Sequence, residues 1–123
     1  MIRGGCFCGQ TRYAIKDGDY RVVNCHCTMC RRTSAAPFVT WLVVPTSAFE
    51  FSGTPPKVLR SSAKGTRRFC PNCATPLIFT DTDRPDEVDV TVGSLDNPEG
   101  FPPSKAVCEE TKLPWLKETE QGV

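Results

Sequence analysis

The sequence predicts a mainly β fold with one or two short helical turns, formed by a single domain over residues 1–123. Three observations carry this reading. Short runs rich in β-branched and aromatic residues recur along the chain, bounded by Gly, Pro, Asp and Ser. No stretch of about a dozen residues keeps the apolar period of about 3.6 that an amphipathic helix needs. The 11 prolines interrupt most helical candidates, because proline lacks the amide that a helix interior requires. The length suits one domain with a real core and is too short for two independent ones.

The expected strands, in order, are Thr11–Lys16, Phe38–Val44, Ala48–Phe51, Lys57–Arg60, Leu77–Thr80 and Glu87–Val92. The last is the clearest, since Val88, Val90 and Val92 alternate with Glu87, Asp89 and Thr91 and so fall on one face of an extended chain. It reads as a half-buried strand. Single helical turns are expected near Thr28–Thr33 and after Pro45. Trp41 and Trp115, with Phe38, Phe49, Phe51, Phe69 and Phe79, are expected in the core, because most lie in strand-like segments. The polar tail after Trp115 is expected to fray.

Hydrophobic residues form 39% of the chain and charged ones 24%, as in globular proteins rather than disordered ones. The 15 basic and 14 acidic side chains leave almost no net charge, which argues against a nucleic-acid partner. No secretory leader is visible, and no apolar run approaches the roughly 18 residues that cross a bilayer. A cytoplasmic location without a membrane partner is therefore expected. In that reducing setting the eight cysteines point to metal ligation or redox chemistry rather than disulfides.

Seven of those cysteines fall in three clusters: Cys6-Phe7-Cys8, Cys25-His26-Cys27-Thr28-Met29-Cys30 and Cys70-Pro71-Asn72-Cys73. The last resembles a zinc knuckle, a turn that supplies two thiolates and backbone amides to bond them. A closed tetrahedral site needs two more ligands. Cys6 and Cys8 can provide them, since residues i and i+2 of an extended chain face the same way and the flanking Gly4, Gly5 and Gly9 permit the bend. Cys25, Cys27 and Cys30 then remain as three thiolates with one position open, the pattern of a reactive rather than a structural zinc. Three thiolates leave the zinc with a net charge of about −1, so it acidifies water less well than a histidine-bound zinc and favours a soft fourth ligand. The expectation is two zinc ions per chain and a small-molecule thiol or thioether substrate. His26 or Cys108 could instead close the second site. The same cysteines also leave open a thioredoxin-like role for Cys70 and Cys73, although no βαβ pattern surrounds them, and an iron–sulfur cluster.

The stretches Gly4-Gly5-Cys6-Phe7-Cys8-Gly9 with Thr11-Arg12-Tyr13, Cys25 to Arg32 with Ala36-Pro37-Phe38, Phe69 to Leu77, Gly93-Ser94-Leu95-Asp96 and Lys112-Leu113-Pro114-Trp115 resemble the glutathione-dependent formaldehyde-activating enzyme family, which includes centromere protein V. The resemblance covers nearly the whole chain. It implies small antiparallel sheets around a structural zinc on Cys6, Cys8, Cys70 and Cys73, and a catalytic zinc on Cys25, Cys27 and Cys30. It also implies condensation of formaldehyde with glutathione to S-(hydroxymethyl)glutathione, a carbon–sulfur lyase reaction in reverse. Another S-conjugate, or a zinc-stabilised binding module without catalysis, are the alternatives. Many relatives carry a histidine nine residues before the tryptophan matching Trp115, where this chain has Ala106. Cys108, where relatives often carry an aromatic residue, reads as a buried filler. Glutathione has two carboxylates, which arginine suits, and Arg31 and Arg32 beside the second cluster are the first candidates, with Arg67 and Arg68 before the knuckle.

Overall fold

The computed structural model describes residues 1–116 and shows a mainly β protein with one α-helix and several 3₁₀ turns. The strands are β1 (Ile2–Gly5), β2 (Thr11–Ile15), β3 (Arg21–Cys25), β4 (Val39–Pro45), β5 (Phe49–Gly53), β6 (Lys57–Arg60), β7 (Gly65–Phe69), β8 (Pro76–Asp81), β9 (Glu87–Thr91) and β10 (Lys105–Val107). The helix α1 spans Thr28–Ser34, and a 3₁₀ turn follows Pro45 over Thr46–Ala48, where helical turns are expected from the sequence. No helix among the described residues is long and apolar enough to cross a membrane.

Two sheets form. One has the order β1-β2-β5 and the other β10-β3-β4-β9-β8-β7-β6, with every pair antiparallel except β10 on β3. The core lies where the small sheet covers one face of the large one. Tyr13 and Ile15 from β2 meet Leu42 and Val44 from β4, Leu77 from β8, and Val88 and Val90 from β9. Gly4 permits this closeness, since a Cβ there would lie 2.6 Å from the carbonyl oxygen of Ser94.

The opposite face of the large sheet carries a second apolar group, Val23, Cys25, Cys30 and Trp41, with Val39, Phe79 and Val107 packed against it. α1 sits beside this face, with Cys30 as its buried residue. Because both faces are covered, β9 is buried from Val88 to Thr91, with only Glu87 part-exposed, and is not the half-buried strand that its alternation suggests. Its polar positions are satisfied internally. Asp89 accepts two bonds from the Arg84 guanidinium, at 3.1 and 2.7 Å, and the Thr91 hydroxyl donates to the Pro76 carbonyl at 2.9 Å.

Four strands, β1, β3, β7 and β10, lie outside the sequence expectation. Two glycines in β1, a cysteine motif in β3, adjacent arginines in β7 and the brevity of β10 each hide the usual strand signal. The aromatic expectation also needs correction. Trp41 is buried, but Trp115 is 67% exposed, since it sits on the 3₁₀ turn Pro114–Leu116, where Leu116 takes the inward position. The rest of the polar tail, 117–123, lies outside the described residues.

Two outcomes follow for stability. Leu42 is fully buried between the sheets, so Leu42→Ala costs about 2–5 kcal/mol in urea denaturation, the range for buried leucine truncations. Burial pushes the Tyr13 phenol up to about 12, against the opposing hydrogen bond with Ser94 at 2.6 Å. The folded state thus holds the proton more tightly than the unfolded one. The gain is complete below the ordinary value of about 10 and is lost as pH rises to about 12, a loss of about 3 kcal/mol. Denaturation across that range is expected to show a loss about 3 kcal/mol larger in wild type than in Tyr13→Phe.

Candidate metal centres

The first cluster joins two turns. Cys6 and Cys8 occupy the turn between β1 and β2, and Cys70 and Cys73 the turn between β7 and β8. Their sulfurs converge, with Cys6 Sγ to Cys8 Sγ at 3.5 Å and Cys8 Sγ to Cys70 Sγ at 3.6 Å, and all four lie within 4.8 Å of one another. The turns are built to hold them. The amides of Asn72 and Cys73 donate to Cys70 Sγ at 3.4 Å each, Thr11 N donates to Cys6 Sγ at 3.3 Å, and Ala74 takes the left-handed φ of 67° that closes the knuckle. Phe7 N donates to Thr75 Oγ1 at 3.0 Å and ties one turn to the other. The Cys73 thiol is lowered to about 5, first by the Thr75 hydroxyl and then by the Thr75 amide. Hydrogen bonds to sulfur also lower Cys70, led by the Cys73 amide.

The second cluster grows from the end of β3 into α1. Cys25 closes the strand, Cys27 caps the helix by accepting from Cys30 N at 3.2 Å, and Cys30 projects inward from the first turn. Cys30 Sγ lies 3.6 Å from Cys25 Sγ, and the three sulfurs lie within 4.8 Å of one another. Among the described residues this group contains no fourth donor. His26 turns its ring to Phe38, with centroids 5.1 Å apart, and is buried rather than solvated. Cys108 is half-buried against Val23, Cys25 and Trp41 as a filler and stands outside the group.

Both donor sets fit zinc. Four sulfurs at about 2.3 Å from a tetrahedral ion stand about 3.8 Å apart, and the spacings of 3.5 and 3.6 Å are close to that. Two cysteine clusters can therefore each hold a metal ion, one with four donors and one with three.

The three thiols of the triad differ in their electrostatic surroundings. The Cys30 thiol is drawn down to about 5 by its hydrogen-bond interaction with Cys25 first, then by Cys27 and the Arg67 guanidinium, against the effect of burial. That same bond and burial raise Cys25, and burial raises Cys27. Arg67 Nη2 donates to Cys30 Sγ at 3.9 Å, its Nε donates to Ser61 Oγ at 3.2 Å, and its guanidinium lies 4.7 Å above the Phe79 ring. A buried arginine fixed in this way offsets part of the triad's negative charge.

The three cysteines open onto a cavity of about 320 Å³ that also has Arg21, Lys105 and Val107 on its wall, with Arg67, Arg84 and Asp89. A larger cavity of about 700 Å³ shares Trp41 and Arg67 with the first and is also lined by Thr40, Arg68 and Ile78. Arg31, half-buried, and Arg32, exposed, line neither cavity. Arg68 lines the larger one. Arg21 and Lys105 escape a reading of the sequence because the parallel pairing of β10 with β3 brings them to the triad, and no local pattern announces that pairing.

A β-sheet protein with four converging cysteine sulfurs, and a second set of three beside a cationic cavity, belongs by class with proteins whose cysteine clusters could each hold a metal ion. The family model described as glutathione-dependent formaldehyde-activating enzyme matches residues 1–111, and the chain belongs to that family. The crystal structure of a Rhodobacter sphaeroides protein, a structural genomics target, is similar in fold. It has a TM-score of 0.67 and 20% identity, over 85% of this chain and 99% of that one. Comparison with curated proteins gave no match.

Proposed function

We propose that this protein is a zinc-dependent carbon–sulfur lyase that forms and cleaves a glutathione S-adduct, most simply S-(hydroxymethyl)glutathione. The observation that carries the reading is the triad of Cys25, Cys27 and Cys30, three sulfur donors with no fourth among the described residues, at the wall of a cavity with cations. Family membership supplies glutathione and formaldehyde as the reactants. Cys6, Cys8, Cys70 and Cys73 hold the structural zinc in this reading and the triad holds the second. When bound to three thiolates, zinc offers a fourth position to a soft ligand and favours the thiolate form of a substrate thiol.

The protein's own residues position the reactants. Arg21, paired only at 3.8 Å with Glu87, and Lys105, which makes no ion pair among the described residues, stand where two carboxylates of glutathione can be held. Arg31 and Arg32 take an outer share. Arg67 keeps its charge at the triad, and Trp41 with Phe79 excludes water from one side of the sulfurs. In the synthetic direction the thiol S–H bond breaks and the C–S bond forms. The carbonyl π pair moves to oxygen, which takes up a proton. His26 turns toward Phe38 and Ala106 has no titratable group, so neither position supplies that proton at the triad. A reducing compartment such as the cytoplasm is the location this reading implies for a chain with eight cysteines.

Metal analysis by mass spectrometry tests the two sites. Wild type is expected to carry two zinc equivalents and Cys27→Ser one, with its fold retained. Cys70→Ser loses its cooperative thermal transition, because a structural zinc contributes folding energy directly. A single tightly held zinc in wild type would instead indicate a binding module. Kinetics with glutathione and formaldehyde test the reaction. Cys27→Ser falls to the spontaneous rate, while Arg21→Ala and Lys105→Ala each raise KM for glutathione about tenfold with kcat little changed. A wild-type rate no faster than the spontaneous condensation rejects the reaction.

A further inference from the structure

We propose that the larger cavity receives the apolar, carbonyl-derived part of the S-adduct, so that this protein is selective for glutathione adducts of bulky apolar aldehydes over the formaldehyde adduct. The inference rests on the lyase reading and names its substrate class.

Size is the first argument. Formaldehyde contributes two heavy atoms, and the cationic cavity beside the triad already has room for them. The second cavity, about 700 Å³, is far larger than those two heavy atoms require. Protein interiors are close-packed, and concave apolar spaces of this size are the usual form of a small-molecule site.

The wall is the second argument. Phe38, Trp41, Leu59, Phe69 and Ile78 line the cavity, and Leu59 is 47% exposed. Leaving this surface in water forfeits the burial that drives folding, whereas an aryl or branched alkyl group would cover it.

Position is the third. Trp41 packs with Cys25 and Cys30 in one apolar cluster while also lining the larger cavity. Arg67 contacts Cys30 Sγ at 3.9 Å and lines it too. The boundary between the sulfurs and the apolar cavity is therefore one layer of side chains. In this proposal the substituent of a carbon bonded to sulfur at the triad passes beside Trp41 and Arg67, the residues common to both cavities, while the glutathione carboxylates remain with Arg21 and Lys105. The chemistry is unchanged from formaldehyde. The thiol proton leaves sulfur, the C–S bond forms at the aldehyde carbon and its oxygen becomes a hydroxyl, so no oxidant or reductant is required.

Gly93 provides the test. It lines the cavity at an exposed position, and a Cβ built on it meets no atom within 4 Å, so a larger side chain is accommodated at the cavity wall without displacing backbone. Calorimetry on zinc-loaded protein compares S-benzylglutathione with S-methylglutathione. Wild type is expected to bind the benzyl conjugate at least about tenfold more tightly, in line with the discrimination an apolar pocket provides. Gly93→Leu is expected to reduce that preference to about twofold or less. Ala36→Phe, at another point of the wall, is a second obstruction should Gly93→Leu lose its circular dichroism spectrum. Turnover of phenylacetaldehyde relative to formaldehyde should fall in parallel with the binding preference. Equal affinity for the two conjugates in wild type, or a preference unaffected by either folded variant, overturns the proposal. A benzyl preference that the obstruction removes, in a protein that accelerates neither aldehyde, supports the cavity's selectivity and rejects the lyase reading.

Discussion

Cys8 and Cys70 stand 62 residues apart in the chain and 3.6 Å apart in space. Their meeting is the constraint on which the rest of the architecture depends. The turn carrying Cys6 and Cys8 belongs to the small sheet, and the turn carrying Cys70 and Cys73 belongs to the large one. Joining the turns fixes how one sheet lies on the other. Four thiols can crowd together only while they stay protonated or share a cation, because thiolates gathered away from water repel one another. The amides aimed at Cys70 and the hydroxyl of Thr75 near Cys73 already favour the ionised form. An ion held by these four sulfurs would therefore couple folding to metal uptake at this point.

The large sheet converts that anchoring into a site. Because the small sheet covers one face, the other is free to carry polar and reactive groups without weakening the main core. Central strands bring residues that are distant in sequence onto this second face: Cys25 from β3, Trp41 from β4, Asp89 from β9, Phe79 from β8 and Arg67 from β7. Charge there is balanced by neighbours rather than by solvent. Arg84 answers Asp89, and Arg67 answers the triad while resting on Phe79. The outcome is a rigid platform beside a sulfur cluster, which suits a reaction whose main demand is orientation.

How much of this could be read from the sequence follows from which interactions are local. Cysteine spacing is local, and it gave both groupings that the structure brings together, whereas the exclusion of His26 and Cys108 from the triad, left open by the sequence, is visible only in the structure. Strands with a regular alternation or β-branched residues, such as Lys57–Arg60 and the segment from Glu87, were legible for the same reason. What stayed hidden was relational. The burial of Asp89 depends on Arg84 and on packing against both faces of β9. The place of Arg21 and Lys105 depends on a parallel pairing between strands at opposite ends of the chain. The exposure of Trp115 depends on which residue of a single turn faces inward. Arg67 and Arg31 look alike in sequence, and only the sheet distinguishes a guanidinium held on Cys30 from one lying outside both cavities.

The pairing of β10 with β3 has a consequence for the order in which the molecule assembles. Ser104 and Val22, joined where the two strands meet, are 82 residues apart, and β10 has three residues and a single neighbouring strand. A contact that closes so long a loop for so few hydrogen bonds forms late and opens first. The hairpin of β3 and β4, with α1 between them, needs no such closure, so the triad is complete before Lys105 and Val107 arrive to wall the cavity. Metal can thus reach the sulfurs through a side that later narrows, and the local opening of one short strand gives a later route for exchange without unfolding the anchored core.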